Sequence, residues 1–129
     1  MARPALPRPT DAELQVLRVL WRRGPSTVRQ VHEDLEDGRP VGYTTTLKMM
    51  QIMAEKGLVE RDKSDRSHVY RAKSSEERTQ RQLIRDLVNR AFGGSAQKLF
   101  VQALAETKAT SQEMSEIRKL LDSPEGGGK

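Results

Sequence analysis

Apolar residues first recur at helical spacing from Leu14, with Leu17, Leu20 and Trp21 on one face and Arg18 and Arg22 off it. Just ahead stands Thr10-Asp11-Ala12-Glu13, in which the Thr hydroxyl and the Glu carboxylate can each accept from a backbone N–H that a first helical turn leaves unpaired. Gly24-Pro25 ends this helix. Val28, Val31 and Leu35 mark a second, shorter helix capped by Ser26 or Thr27, and Asp37-Gly38-Arg39-Pro40 is turn chemistry. A third helix is predicted from about Thr44 to Lys56, with Thr46, Met50, Met53 and Ala54 inward and Gly57 as its C-terminal cap.

The helical period then gives way to strand-like runs. Leu58-Val59-Glu60-Arg61 and His68-Val69-Tyr70-Arg71, separated by the polar residues 62–67, read as a β-hairpin with a charged tip. Three helices and then a hairpin is the order of a winged helix-turn-helix, a motif whose recognition helix enters the DNA major groove. From Ser74 the helical period returns with Leu83, Ile84, Leu87, Val88, Ala91 and Phe92, is broken at Gly93-Gly94, and resumes twice more. Leu99, Phe100, Ala103 and Leu104 follow Ser95; Met114, Ile117, Leu120 and Leu121 follow Thr110 or Ser111. Three such stripes offer little material for an independent monomeric core and are expected to bury against a partner chain.

The fold class expected is therefore mainly α with a small β-hairpin wing: an N-terminal winged helix-turn-helix plus a C-terminal helical dimerisation region. Residues 1–9 read as a flexible basic arm, 10–73 as the DNA-binding domain, 74–122 as the dimerisation domain and 123–129 as a disordered tail.

Composition narrows the chemistry. Of 129 residues 35% are hydrophobic and 4% aromatic, so any core is modest. There is no cysteine, which removes disulfides, thiolate metal sites and cysteine nucleophiles. No apolar run approaches the roughly 18 residues of a membrane span, and the Arg- and Pro-rich start has no secretory apolar region, so the expected location is the cytoplasm without membrane insertion. The net charge of +5 is uneven: residues 1–73 hold 14 Lys/Arg against 10 Asp/Glu, residues 74–129 nine against eight. The excess lies where a phosphate-binding surface needs it.

With its inward residues assigned, the third helix leaves Thr44, Thr45, Lys48 and Gln51 outward, side chains suited to phosphates and base edges. Leu47 either meets a thymine methyl or packs on the second helix. The Tyr43 hydroxyl can hold a phosphate at the helix start while its ring covers the preceding loop. In the wing, Arg66, Ser67 and His68 are expected to touch the backbone or minor groove, positioning without reading sequence. Dimer contacts are expected from Leu83, Leu87, Phe92, Leu99, Phe100, Ile117 and Leu120. His32 and His68 share no ligand-like spacing, so neither a metal nor another cofactor is expected. Phosphate loops, nucleophile elbows and zinc-protease helices are missing, so the chain is not expected to be an enzyme.

Several stretches together resemble the BlaI/MecI penicillinase-repressor family: Pro9-Thr10-Asp11-Ala12-Glu13-Leu14 with Val19-Leu20-Trp21, Ser26-Thr27-Val28-Arg29-Gln30-Val31, Gly42-Tyr43-Thr44-Thr45-Thr46-Leu47, Glu55-Lys56-Gly57-Leu58-Val59-Glu60-Arg61, Ser67-His68-Val69-Tyr70 and Phe92-Gly93-Gly94-Ser95. The resemblance runs from about Pro9 to Asp122. It implies bacterial homodimers that bind palindromic promoter operators on double-stranded DNA and repress transcription. It also implies arginine at the position Leu47 occupies here, and relief through a membrane protease that cuts an Asn-Phe bond. The nearest matching positions here are Gln102-Ala103, so a signalling protease stays unassigned. Copper-responsive relatives carry paired C-x-C motifs, which a chain without cysteine lacks. The competing reading is a winged-helix protein-interaction module that binds no DNA.

Overall fold

The computed structural model describes residues 8–36, 42–64, 68–107 and 110–122. Helix α1 (Asp11–Arg23) opens with the capping box read from the sequence: Thr10 Oγ1 accepts from the Glu13 N–H and Glu13 Oε1 from the Thr10 N–H. Helix α2 (Val28–Glu36) is capped by Thr27, whose hydroxyl accepts from the Gln30 N–H while Gln30 Oε1 accepts from the Thr27 N–H. Ser26, the other candidate, instead exchanges both backbone hydrogen bonds with Tyr70, at 2.9 and 2.8 Å.

Helix α3 (Tyr43–Lys56) ends at Gly57, where φ +87° is a conformation a side chain would resist. The Gly57 N–H donates to the Ala54 carbonyl and the Leu58 N–H to that of Met53. Strands β1 (Val59–Asp62) and β2 (Val69–Ala72) pair antiparallel, Val59 opposite Ala72 and Arg61 opposite Tyr70. Both begin one residue later than expected, for local reasons: the Leu58 N–H belongs to the helix ending, and His68 has a left-handed φ of 56°.

The core gathers Val16, Leu17, Val19 and Leu20 of α1, Val28 and Val31 of α2, Met50 and Met53 of α3, and Leu58, Val59 and Tyr70 around the hairpin. The buried face of α1 is wider than the stripe starting at Leu14 because α1 packs on α2, α3 and β2 at once. Trp21 is half-buried at the edge of this core, and its Nε1–H donates to the Ser74 carbonyl at 3.0 Å. The first three helices and the paired hairpin form the winged helix-turn-helix expected.

Glu13, only 5% exposed, receives two hydrogen bonds from Lys56 Nζ, at 2.8 and 3.0 Å, tying the start of α1 to the end of α3. Burial works to raise this carboxyl's pKa. Hydrogen bonds from Lys56 and Thr10, with the ammonium charge, outweigh it and hold the pKa below the usual 4.5. A depressed native pKa contributes stability that is complete above the unfolded-state value and lost as pH falls through the native one. Glu13→Gln is therefore expected to cost about 1–2 kcal/mol at pH 7. In urea melts, its gap from the parent should narrow only below about pH 4.5; a gap constant to pH 2.5 would refute this.

Helices α4 (Glu76–Ala91), α5 (Ala96–Glu106) and α6 (Ser111–Asp122) follow. Thr110 rather than Ser111 caps α6, in a reciprocal pair with Glu113. The chain divides into two compact units between Ile84 and Arg85, within α4. No residue of α5 or α6 is fully buried.

Candidate nucleic-acid interface

The outer side of α3 carries Thr44, Thr45, Lys48 and Gln51, all exposed, as the helical period requires once Thr46, Met50 and Met53 are buried. Two residues not anticipated share that exposed side: Ile52, 40% exposed, and Glu55. The acidic Glu55 lies in the last turn, whereas the first turn holds no acid and Gly42 offers no side-chain cap. The end of α3 suited to an anion is therefore its N-terminal half.

Tyr43 begins α3 and is held by two contacts. Its ring meets His32 edge-on, centroids 5.7 Å apart, and the Arg29 guanidinium lies 5.5 Å from its centroid. His32 in turn brings Nδ1 to 3.3 Å from the buried Thr46 hydroxyl. Of the loop the Tyr43 ring was expected to cover, Gly38 to Gly42, residues 38–41 lie outside the described residues, as do Arg66 and Ser67. Leu47 is half-buried and packs on the core, which favours the packing alternative. His68 is exposed at the base of β2. At the same end of the hairpin, where β1 leaves the sheet, Asp62 Oδ1 accepts from both the Ser64 N–H and hydroxyl, which lowers its pKa.

Between α3 and the hairpin lies a cavity of about 500 Å³. Leu47, Gln51 and His68 line it, joined by Arg29 of α2 and Arg61 of β1, two cations the outward-face reading missed. Arg61 carried a readable signal: strand alternation puts it on the face of buried Val59, opposite to Glu60, which pairs with Arg71 at 2.9 Å. For Arg29 there was none, since its place depends on Tyr43 from another helix. Among the described residues, no group of three His, Cys, Asp or Glu is arranged to hold a metal ion.

In the C-terminal helices Leu87, Phe100 and Leu120 are exposed, with Ile84, Val101 and Leu121 beside them in sequence or along the same helices. Leu83, Phe92, Leu99 and Ile117 are half-buried. Phe100 and Leu104 of α5 and Ile117 and Leu120 of α6 line an open groove of about 630 Å³, edged by Glu113 and Glu116.

Residues 9–123 match the family described as penicillinase repressor. The chain belongs to the penicillinase repressor family. The matched span coincides with the one over which the sequence resembled that family. The transcriptional regulator BlaI of Mycobacterium tuberculosis is 46% identical over 66 residues, 50% of this chain and 48% of that protein; the match thus spans about half the length of that relative. The penicillinase repressor of Bacillus licheniformis is 22% identical over 117 residues, covering 91% of each chain. Among solved structures, the monomeric form of Bacillus licheniformis BlaI in complex with the blaP half-operator aligns with a TM-score of 0.50 and 26% identity, over 57% of this chain and 89% of that one. For this member of the penicillinase repressor family, among the described residues, no helix is long and apolar enough to cross a membrane.

Proposed function

We propose that this chain is a sequence-specific transcriptional repressor, a cytoplasmic homodimer that binds palindromic promoter operators. The observation that carries this reading is the outer face of α3. Its N-terminal part is polar and basic through Thr44, Thr45, Lys48 and Gln51 and stands beside a hairpin wing, the arrangement that reads a major groove while the wing holds the flanking backbone. Tyr43, Leu47, Arg66, Ser67 and His68 complete the proposed DNA surface, Leu47 from the wall of the cavity between α3 and the hairpin.

A two-fold dimer sets two such helices on half-sites one helical turn, or a multiple, apart. The exposed and half-buried apolar residues of α4 to α6 are the proposed dimer contacts: Leu83, Leu87, Phe92, Leu99, Phe100, Ile117 and Leu120. The one asparagine of the sequence, Asn89, precedes Arg90, so Asn-Phe cleavage has no bond to act on within this sequence.

The test is a salt titration of binding to DNA from upstream of the protein's own gene, with an unrelated duplex as control. Affinity for the promoter should exceed that for the control by about 10³-fold or more and fall steeply with salt as counterions are released. Absence of binding to either duplex at low salt would sink the proposal and favour a protein-docking role, for which exposed Ile52 would be the anchor.

A further inference from the structure

The cavity between α3 and the wing is bounded by two arginines. Arg29 approaches from α2, its guanidinium set over the Tyr43 ring, and that ring is itself held edge-on by His32. Arg61 approaches from the inner face of β1, half-buried, with no ion pair among the described residues. Among the described residues every other wall is neutral or histidine, and none of them brings a carboxylate to the cavity. Partial burial of an unpaired guanidinium is costly, and among the described residues no acidic partner offsets that cost. Of the two acids flanking it in sequence, Glu60 is turned to the other face of the strand and engaged by Arg71, and Asp62 accepts from Ser64. Such a site is complementary to a single anion, and Arg is the side chain best shaped to bind phosphate oxygens.

We propose that this cavity seats one backbone phosphodiester of the bound duplex between Arg29 and Arg61. This deepens the DNA-binding reading and rests on it. If α3 occupies a major groove and the wing meets the adjacent minor groove, the phosphate strand separating those grooves must pass between helix and hairpin. The cavity opens in that place. Cation and ring contacts keep Arg29 ordered before DNA arrives, and β-pairing does the same for the backbone of Arg61, so little ordering entropy is lost on binding. The clamp fixes register along the strand without reading a base.

The test compares the parent with Arg29→Gln, Arg61→Gln, the double variant and Arg61→Lys, on promoter and unrelated duplexes across a salt series. Each Gln variant is expected to lose about tenfold in affinity on both duplexes alike, and its log–log salt slope should shrink by about 0.9, the value for one phosphate. Because both arginines serve one phosphate, the double variant should lose no more slope than either single one. Arg61→Lys should restore the slope, which a purely structural role for Arg61 would not predict. Thermal melting of each variant reports whether it is folded, and Arg29→Gln, on an exposed residue, tests the site should Arg61→Gln melt early. Unchanged slopes in folded variants would overturn the clamp, as would additive losses in the double variant. If the parent itself bound neither duplex, the DNA-binding reading would fall, and the clamp with it; parent binding with unaltered variants would remove the clamp alone.

Discussion

Lys48→Glu is expected to lower affinity for promoter DNA by about 100-fold, with the melting temperature unchanged to within about 2 °C. Lys48 is exposed midway along the outer face of α3, between Thr44 and Thr45 on one side and Gln51 on the other, and makes no ion pair among the described residues. Losing the contact to a base edge or phosphate that is proposed for it removes about 1–3 kcal/mol. The new carboxylate adds repulsion from the phosphates on either side of the groove. At about 1.4 kcal/mol per tenfold, the two effects reach roughly two orders of magnitude. Stability should barely respond, because an exposed substitution away from caps and core stays within about 0.5 kcal/mol. Gel-shift or fluorescence-anisotropy titration gives the first quantity and calorimetry the second. Retained affinity in a folded variant would mean that another surface meets the DNA.

The second large effect concerns assembly. If the chain dimerises as proposed, the double variant Leu99→Asp/Phe100→Asp is expected to leave it monomeric in sedimentation equilibrium and to weaken operator binding by about 100-fold or more. Leu99 is half-buried and Phe100 is 38% exposed on a helix with no fully buried residue. Carboxylates at these positions therefore remove little internal packing, yet they forbid desolvation against a second chain. A dimer binds its second half-site intramolecularly, and such linkage raises affinity by about 10²–10⁴ over one module; the monomer loses that factor. Trp21, the sole tryptophan, sits at the edge of the N-terminal core, so its fluorescence reports whether the DNA-binding unit stays folded when the C-terminal helices are altered. A monomer with full operator affinity would break the link between dimerisation and DNA binding, and an unaltered dimer would move the interface to other residues.

Much of this architecture was legible from residues close together in the chain. The Thr10–Glu13 capping box, the Gly57 helix ending and the break at Gly93-Gly94 involve partners within about one or two turns, so the local sequence contains both halves of each interaction. The inward set Thr46, Met50 and Met53 followed from the helical period alone, and with it the outward set Thr44, Thr45, Lys48 and Gln51. The same reading left Ile52 and Glu55 unassigned because it stopped at the polar residues suited to DNA.

What remained open in the sequence depended on partners far along it. Ser26 and Thr27 were equivalent as caps until the bridge to Tyr70, 44 positions later, claimed one of them. Leu47 had two plausible surroundings, and the packing of α2, α3 and the hairpin sets it partly against the core and partly on the wall of the α3–hairpin cavity. Helical and strand periods specify which face of an element turns inward, and they do so from neighbours a few residues away. Which cations from different elements share one cavity is decided only when α2, α3 and β1 pack against a common core. Arg29 and Arg61, 32 positions apart, come to line the same space for that reason alone.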